Sequence, residues 1–349
     1  MIPVANPDLT GNELKYLTEA LQKNEISWRG KFVSDFEEKF SQRHSAGWGV
    51  CTTSGTTALT LAVAALGIGE GDEVIVPDFT MVATAWAVTY NRATPVFVDC
   101  DDKLLIDVNK IEEKITSRTK AIIPVHIFGR VANVDAVIVI AKKHGLKVIE
   151  DSALAHGVPL VGDIACYAFF ANKILTAGEG GICITNDPKL EEKMRYLKNM
   201  AFDPKHTFLH KELGFNFRMT NFQAAILCAQ LERLDEFLEK RKLIESWYDE
   251  ELKGIPQITI MPERNLLWVY DILAERKDEL MAYLYEHGVD TRTYFKPMSM
   301  QPMYCKDDSY KKTKAYWFSQ RGFYLPTFFG LTRDEVKYVA QQIRNFYGI

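Results

Sequence analysis

The chain has 349 residues, of which 47% are hydrophobic and 25% are charged, and this composition is ordinary for a globular protein. A net charge of −4, with Lys and Arg dispersed along the chain, gives no reason to expect nucleic acid or an anionic membrane as a partner. No apolar run approaches the roughly 20 residues that span a bilayer. The N-terminus lacks the pattern of a signal peptide, so we expect a cytoplasmic protein.

The cysteines and histidines do not predict a disulfide framework or a metal site. Six cysteines are scattered without CxxC spacing, and we interpret them as reduced thiols. His206 and His210 form an HxxxH pair, but the glutamate of an HExxH motif is missing. We therefore expect no metal.

The first half of the chain alternates predicted helices and strands. Residues 9–24 have apolar positions at helical spacing, with Thr10 as a possible cap, and residues 33–44 form a second helix. Short, continuously apolar runs indicate strands that are buried on both faces of a mainly parallel sheet, which is an α/β doubly wound architecture. The predicted strands are 48–51, 73–76, 94–98, 120–125, 147–150, 164–170 and 181–185, and the predicted helices between them are 56–65, 82–90, 108–115 and 134–144.

The pattern changes after about residue 190. Residues 188–200 and 220–252 are helical by spacing, and the remainder alternates short strands such as 267–273 with helices such as 277–287 and 333–346. We predict a large domain at 1–235, which includes the N-terminal segment, and a smaller C-terminal α+β domain at 236–349.

Lys173 is the most informative residue, because it ends an apolar, aromatic run and precedes a glycine-rich turn at 178–181. A desolvated lysine has a lowered pKa, and its neutral amine is a nucleophile. Such amines form Schiff bases with carbonyl compounds, pyridoxal phosphate (PLP) among them. The alternative is a lysine that reaches water from a strand end, which is the commoner case for an isolated lysine.

Other motifs could complete a site for this cofactor. Residues 52–58 end a strand and open a helix, where amides and hydroxyls suit a phosphate, although an ordinary N-cap explains them equally well. Asp151 follows a strand and could keep a pyridine nitrogen protonated, or it could cap a turn. His126 ends a strand at the same edge, where it could also be a packed core residue. A polar and aromatic stretch at 214–223 precedes a long helix.

Taken in order, these motifs resemble the DegT/DnrJ/StrS family of PLP-dependent sugar aminotransferases, which have the PLP-dependent transferase fold type I. The resemblance runs from residues 7–13 to 325–327. It rests on the combination of Ser-Gly-Thr-Thr-Ala-Leu at 54–59, Gly-Asp-Glu-Val-Ile-Val-Pro at 71–77, Ala-Thr-Pro-Val-Phe-Val-Asp at 93–99, Glu-Asp at 150–151, Asn-Lys at 172–173, Gly-Glu-Gly-Gly at 178–181 and Gln-Ala-Ala-Ile at 223–226.

The resemblance implies roles for individual residues. Lys173 would bind the cofactor covalently and move protons, and Asp151 would pair with the pyridine nitrogen. Asn216 would reach the phosphate from the other subunit of a homodimer with shared active sites. The further cofactor contacts would be Gly55, Thr56, Thr57 and Met81. Candidates for substrate contact are Arg29, Arg218 and Arg292, whose guanidinium groups suit the pyrophosphate of a nucleotide but which could equally be surface or interface residues. His126 is a further candidate.

The chain departs from the family pattern at several positions. Met81 replaces a usual ring-stacking aromatic residue, Ala168 replaces a serine, and Leu154 replaces a polar residue. Lys296 and Ser299 stand where histidines are frequent, and the segment 158–163 is shorter than usual.

The activity that the resemblance implies is transfer of an amino group from L-glutamate, which becomes 2-oxoglutarate, to C4 of a 4-keto-6-deoxy nucleotide sugar. Lys173 favours transamination, because a dehydratase branch of the family carries histidine there. The alternatives are a transaminase for a UDP- or dTDP-linked 4-keto or 3-keto sugar, a dehydratase, and a non-catalytic protein that binds PLP or a sugar nucleotide on the same scaffold.

Overall fold

The computed structural model describes residues 1–203, 205, 208–262 and 264–349, and its larger sheet has seven strands. Their order is β1-β7-β6-β5-β4-β2-β3, and β7 runs in the direction opposite to that of the other six. The mostly parallel sheet is as predicted. The strands are β1 (Trp48–Thr52), β2 (Glu73–Pro77), β3 (Thr94–Val98), β4 (Thr119–Ile122), β5 (Lys147–Asp151), β6 (Ile164–Ala168) and β7 (Gly181–Thr185).

Helices cover both faces of this sheet, so a separate apolar core lies on each face. Every residue of β2, β6 and β7 is buried, which explains why these strands read as continuous apolar runs rather than as alternating ones. The helices are α1 (Glu13–Gln22), α2 (Lys31–Arg43), α3 (Gly55–Ala65), α4 (Val82–Tyr90), α5 (Val134–His144), α6 (Pro188–Lys198) and α7 (Asn221–Glu232).

The C-terminal part forms a smaller antiparallel sheet of order β10-β11-β9-β8 with its own apolar core. The N-terminus joins this part: the N–H of Ile2 donates to the carbonyl of Gly288 at 2.7 Å, and that of Thr327 donates to Val4 at 3.0 Å. Its elements are α8 (Leu234–Glu251), β8 (Ile258–Ile260), β9 (Tyr270–Ala274), α9 (Lys277–Glu286), β10 (Arg292–Thr293), α10 (Lys314–Arg321), β11 (Gly322–Leu325) and α11 (Arg333–Tyr347).

A buried ion pair joins the two sheets. Arg130, in the loop after β4, donates two hydrogen bonds of 3.0 Å to the carboxylate of Asp271 on β9. Arg264 and Tyr294 donate to the same carboxylate. Gly129 lets the segments approach closely, since a Cβ there would lie 1.7 Å from the carbonyl oxygen of Leu266. These contacts fix the smaller sheet against the edge at which the parallel strands end.

Three predicted elements differ from the structure. Residues 108–115 form two single 3-10 turns, because their hydrogen bonds span three residues and the chain then enters β4. The predicted helix 220–252 breaks at Arg233, because α7 packs on α1 and α2 whereas α8 packs on α11. Helix α1 begins at Glu13, and Thr10 instead donates its hydroxyl to Asp8. In the described part of the chain, no helix has the length and hydrophobicity to cross a membrane.

Candidate active site

Lys173 lies in the loop that follows β6, and its main-chain N–H donates to the carbonyl of Phe170 at 2.9 Å. Its Nζ lies 4.6 Å from the centroid of the Trp268 ring. Burial lowers the pKa of the Lys173 amine to about 8, while the charge of Asp151 opposes this shift. The lowered pKa increases the uncharged, and so nucleophilic, fraction of this amine near neutral pH.

Asp151 is the last residue of β5 and is 4% exposed. Its Oδ2 accepts a 2.7 Å hydrogen bond from the hydroxyl of Thr84 on α4, and its Oδ1 accepts a 3.2 Å bond from the N–H of Ala153. Burial raises the pKa of the Asp151 carboxyl, whereas these two hydrogen bonds and the Lys173 charge lower it. A buried carboxylate held in this way can accept a further hydrogen bond from a protonated ring nitrogen.

The N-terminus of α3 carries a reciprocal cap. The N–H of Thr57 donates to Ser54 Oγ at 3.2 Å, and the N–H of Ser54 donates to Thr57 Oγ1 at 2.9 Å. The Thr57 hydroxyl in turn donates to the carbonyl of Ser54 at 2.9 Å. This cap uses the Thr57 hydroxyl proton, and the cofactor contact predicted through Thr57 stays a prediction.

The first turn of α3 keeps donors for an anion. Within the described residues, the N–H groups of Gly55 and Thr56 and the Thr56 hydroxyl have no hydrogen-bond partner, as expected for the first residues of a helix. A Cβ on Gly55 would lie 2.5 Å from Cβ of Ala168, and one on Gly181 would lie 2.2 Å from the Ser54 carbonyl oxygen. Only glycine lets these three chain segments meet. This cradle and the buried Asp151 fit the phosphate and the ring nitrogen of PLP.

Met81 precedes α4 directly and leaves 51% of its surface exposed, although it is apolar. Its carbonyl accepts the N–H of Thr84, which holds Asp151, so Met81 stands one helical turn from that contact. An exposed thioether at this position is compatible with packing against a cofactor ring.

A second cluster surrounds Trp28. The guanidinium carbons of Arg29 and Arg218 lie 5.1 and 5.9 Å from its ring centroid, and Arg218 Nε donates to Asn216 Oδ1 at 2.8 Å. Neither guanidinium pairs with a carboxylate of the described residues. Gln223 ties the following helix to the turn after Lys173 through a 3.0 Å hydrogen bond to the carbonyl of Glu179. The structure thus brings the predicted residues Arg29, Arg218 and Asn216 together around the Trp28 ring.

The structure contradicts the prediction that His126 contacts substrate. Its side chain is fully buried, Nδ1 accepts the N–H of Ala132 at 3.0 Å, and Nε2 donates to Glu150 at 3.3 Å. Both ring nitrogens are therefore used inside the protein. Arg292 is exposed on β10 and pairs with Asp290.

The metal prediction can be compared with the structure only in part, because His206 lies outside the described residues. Among the residues that are described, no group of three or more His, Cys, Asp or Glu side chains could hold a metal ion. His210 Nδ1 lies 2.7 Å from the carbonyl oxygen of Met200.

Sequence reasoning missed three residues that position Lys173 and Asp151. Thr84 is a polar residue in the first turn of a mostly apolar helix, and that position could have indicated it. His156 Nε2 donates to the Ala168 carbonyl at 2.9 Å, and its Nδ1 accepts the N–H of Leu175 at 3.0 Å, so it ties the end of β6 to the lysine loop. Trp268 lies 95 positions after Lys173 and carries no local signal.

The comparisons with known proteins agree with this geometry. Residues 7–344 of the chain match the sequence model of the DegT/DnrJ/EryC1/StrS aminotransferase family. The chain is 40% identical to GDP-perosamine synthase of Caulobacter vibrioides, over 96% of this chain and 95% of that protein. It is also 40% identical to UDP-N-acetyl-3-dehydro-alpha-D-glucosamine 3-aminotransferase of Acidithiobacillus ferrooxidans, over 85% of this chain and 83% of the relative.

Among solved structures, the PLP form of the putative sugar aminotransferase Spr1654 from Streptococcus pneumoniae superposes with a TM-score of 0.92 at 26% identity, over 99% of this chain and 98% of that one. The predicted fold class, enzyme class and cofactor are confirmed. This chain belongs to the DegT/DnrJ/EryC1/StrS family of PLP-dependent aminotransferases.

Proposed function

We propose that this enzyme transfers an amino group from L-glutamate to C4 of a GDP-linked 4-keto-6-deoxy sugar. The observation that carries the proposal is that Lys173 and Asp151 lie near the same carboxyl edge of the sheet: the charge of the buried Asp151 carboxylate acts on the Lys173 amine, whose pKa burial lowers to about 8. The choice of sugar rests on the likeness to GDP-perosamine synthase across nearly the whole chain.

The residues of this site would have separate roles in binding PLP and in moving the proton. The free N–H groups of Gly55 and Thr56 would hold the phosphate of PLP, Met81 would lie against its ring, and Asp151 would keep its ring nitrogen protonated. Bound PLP supplies the group that carries the amine between donor and acceptor and an electron sink for the substrate carbon. Lys173 Nζ would take the proton from that carbon as a general base and return it as a general acid. Its pKa of about 8 suits both directions near neutral pH.

The Trp28 cluster supports a site for the nucleotide diphosphate. Arg29 and Arg218 place two guanidinium groups around one half-buried aromatic ring, and guanidinium forks bind pyrophosphate oxygens in pairs. Asn216 would contact the phosphate of PLP in the partner subunit, so the functional unit would be a cytoplasmic homodimer. Arg292 stays a weaker candidate for this site, because Asp290 already pairs with it.

We also propose that the boundary between the large and the small domain lies at residue 235.

A second candidate function is amination of a 3-keto sugar linked to UDP. The relative from Acidithiobacillus ferrooxidans supports it, since its identity of 40% equals that of the GDP-perosamine synthase, although over less of the chain.

The experiment that tests the proposal supplies PLP, L-glutamate and one keto sugar nucleotide at a time. The GDP-linked 4-keto-6-deoxy sugar, its dTDP-linked counterpart and the UDP-linked 3-keto sugar are compared by mass spectrometry and NMR of the product. We expect an amine at C4 of the GDP-linked sugar and no product with Lys173→Ala. A product from the UDP-linked 3-keto sugar alone would favour the second candidate, and loss of oxygen without gain of nitrogen would indicate a dehydratase.

A further inference from the structure

Trp268 touches the atom on which the proposed chemistry depends. The face of its ring lies 4.6 Å from Lys173 Nζ, within the range of cation–π attraction. Among the described residues, no hydrogen-bond acceptor and no carboxylate pairs directly with this Nζ. The indole face is therefore the nearest partner that the structure gives the amine.

The edge of the same indole holds the main chain beside the lysine. Trp268 Nε1 donates to the carbonyl of Asn172 at 3.0 Å. One side chain thus fixes both the amine of residue 173 and the peptide that precedes it, so the lysine has a defined direction as well as a defined resting point.

The indole itself has little freedom to move. Trp268 is 2% exposed, and its ring stacks on Phe128 with centroids 5.9 Å apart and an interplanar angle of 19°. Tyr324 on β11 packs on it at 5.9 Å, and Arg241 on α8 donates to its carbonyl. The buried pair of Arg130 and Asp271 anchors the strand that follows. Trp268 is therefore a rigid surface that the smaller sheet presents to the lysine loop.

We propose that the face of the Trp268 ring is the resting place of the free Lys173 amine during the reaction, and that Trp268 is a catalytic residue. The proposal rests on the proposed role of Lys173 as the proton carrier. In each half-reaction the Lys173 amine would be released from its covalent link to PLP, and it would have to stay within reach of the substrate carbon. A flat, dry aromatic face keeps the amine there as ammonium or as free base without binding it so strongly that the proton is trapped.

Other titratable groups also lie near Lys173. Asp151 on β5 stabilises the ammonium form, and His156 is neutral, because burial lowers the pKa of its imidazole to about 3. Asp8 and Arg241 line a small cavity that also borders Lys173. A test must therefore change the ring face and leave these groups in place.

The test replaces Trp268 by tryptophans that carry one to four fluorine atoms on the benzo ring, introduced at this codon alone. Fluorine weakens the negative potential of the ring face with little change of shape, and it leaves the N–H donor to Asn172. The pKa of the amine is read in the protein without PLP, by NMR titration of ¹³C-methylated lysines with Lys173→Arg to assign the signal. We expect the pKa to fall stepwise, by roughly one pH unit for four fluorines, because the ammonium loses its partner.

The matched control is the same series at Trp247 on α8, whose ring lies 4.6 Å from Nζ of a different lysine, Lys240. Fluorination there should leave the Lys173 signal unchanged. A Lys173 pKa that is insensitive to fluorination at Trp268, or equally sensitive at both positions, overturns the proposal. The pKa of Lys173 is measured without PLP, so this experiment tests the role of Trp268 independently of the proposed aminotransferase activity. The proposed activity would be refuted separately if the protein took up no PLP.

A second arm tests the edge of the indole. Benzothienylalanine at position 268 keeps the ring face but replaces the N–H by sulfur. We expect an unchanged amine pKa and a several-fold slower capture of PLP at pH 10, where the amine is uncharged, because the lysine loop loses its hydrogen bond. Capture at the wild-type rate overturns this part of the proposal.

Discussion

The hydroxyl of Thr84, in the first turn of α4, donates to Asp151 Oδ2 at 2.7 Å across the gap to the end of β5. Both side chains are buried, so this bond is made in a low-dielectric environment. It holds the carboxylate in one rotamer and lowers the pKa that burial raises.

Loss of that hydroxyl should weaken the hold on PLP. A hydrogen bond to a charged group contributes about 1.5–3 kcal/mol, so we expect Thr84→Val to bind PLP at least about tenfold more weakly. Thr80→Val is the control, because Thr80 contacts Thr84 at 2.9 Å and its removal leaves the bond to Asp151. Fluorescence titration gives both affinities. Equal weakening by the two variants would contradict this assignment.

The contact of Gly55 with Ala168 predicts a complementation. A methyl on residue 55 would meet Cβ of Ala168 at 2.5 Å, and such overpacking costs about 1–3 kcal/mol, so Gly55→Ala should lower PLP affinity. With Ala168→Gly added, the nearest atom becomes Cα at 3.3 Å, and affinity should recover in part. Equilibrium dialysis with PLP measures both. A double variant that is as weak as Gly55→Ala alone would show that this contact does not shape the cradle.

The buried carboxylate of Asp271 should be essential for stability. Asp271→Asn leaves the guanidinium of Arg130, which is 1% exposed, without a paired carboxylate among the described residues, and it leaves Arg264, which is 3% exposed, with Glu245 at 3.5 Å. We expect the free energy of unfolding in urea to fall by about 3–5 kcal/mol. The control, Glu279→Gln, breaks a pair in which both side chains are more than half exposed, and should leave the free energy of unfolding almost unchanged. Similar effects of the two variants would refute the anchoring role.

His156 should make stability depend on pH. Burial lowers the pKa of its imidazole from the usual 6.5 to about 3, so between these values the unfolded chain binds a proton that the folded chain does not. Stability from this residue is present above pH 6.5 and is lost as the pH falls, by up to about 1.4 kcal/mol per pH unit.

The variant His156→Gln keeps one donor and one acceptor but does not titrate. We expect it to be less stable than the wild type at pH 7, and the difference to narrow as the pH falls from 6.5 to 4. Urea unfolding at several pH values measures this difference, and a constant difference would mean that His156 is not the group responsible.

Much of the fold follows from local signals. Continuous apolar runs located all seven strands of the larger sheet within a few residues, because burial on both faces excludes polar positions. The same pattern placed Asp151 and Lys173 near one edge, because strands of one direction end together. Their roles stay predictions until they are tested.

The rest depends on contacts between distant parts of the chain. Nothing near residue 268 indicates that its indole meets Lys173, since that contact exists only after the smaller sheet docks through Arg130 and Asp271. His126 was misassigned for the same reason, because position at a strand end does not reveal that Ala132 and Glu150 occupy both ring nitrogens.

The most direct test of the account is the absorbance spectrum of the purified protein with added PLP, before and after L-glutamate. Wild type and Lys240→Ala, a lysine control on α8, should show a visible band of lysine-bound PLP that glutamate bleaches, whereas Lys173→Ala should show only free PLP. A band that persists in Lys173→Ala, or no band in the wild type, would contradict the claim that Lys173 carries the cofactor.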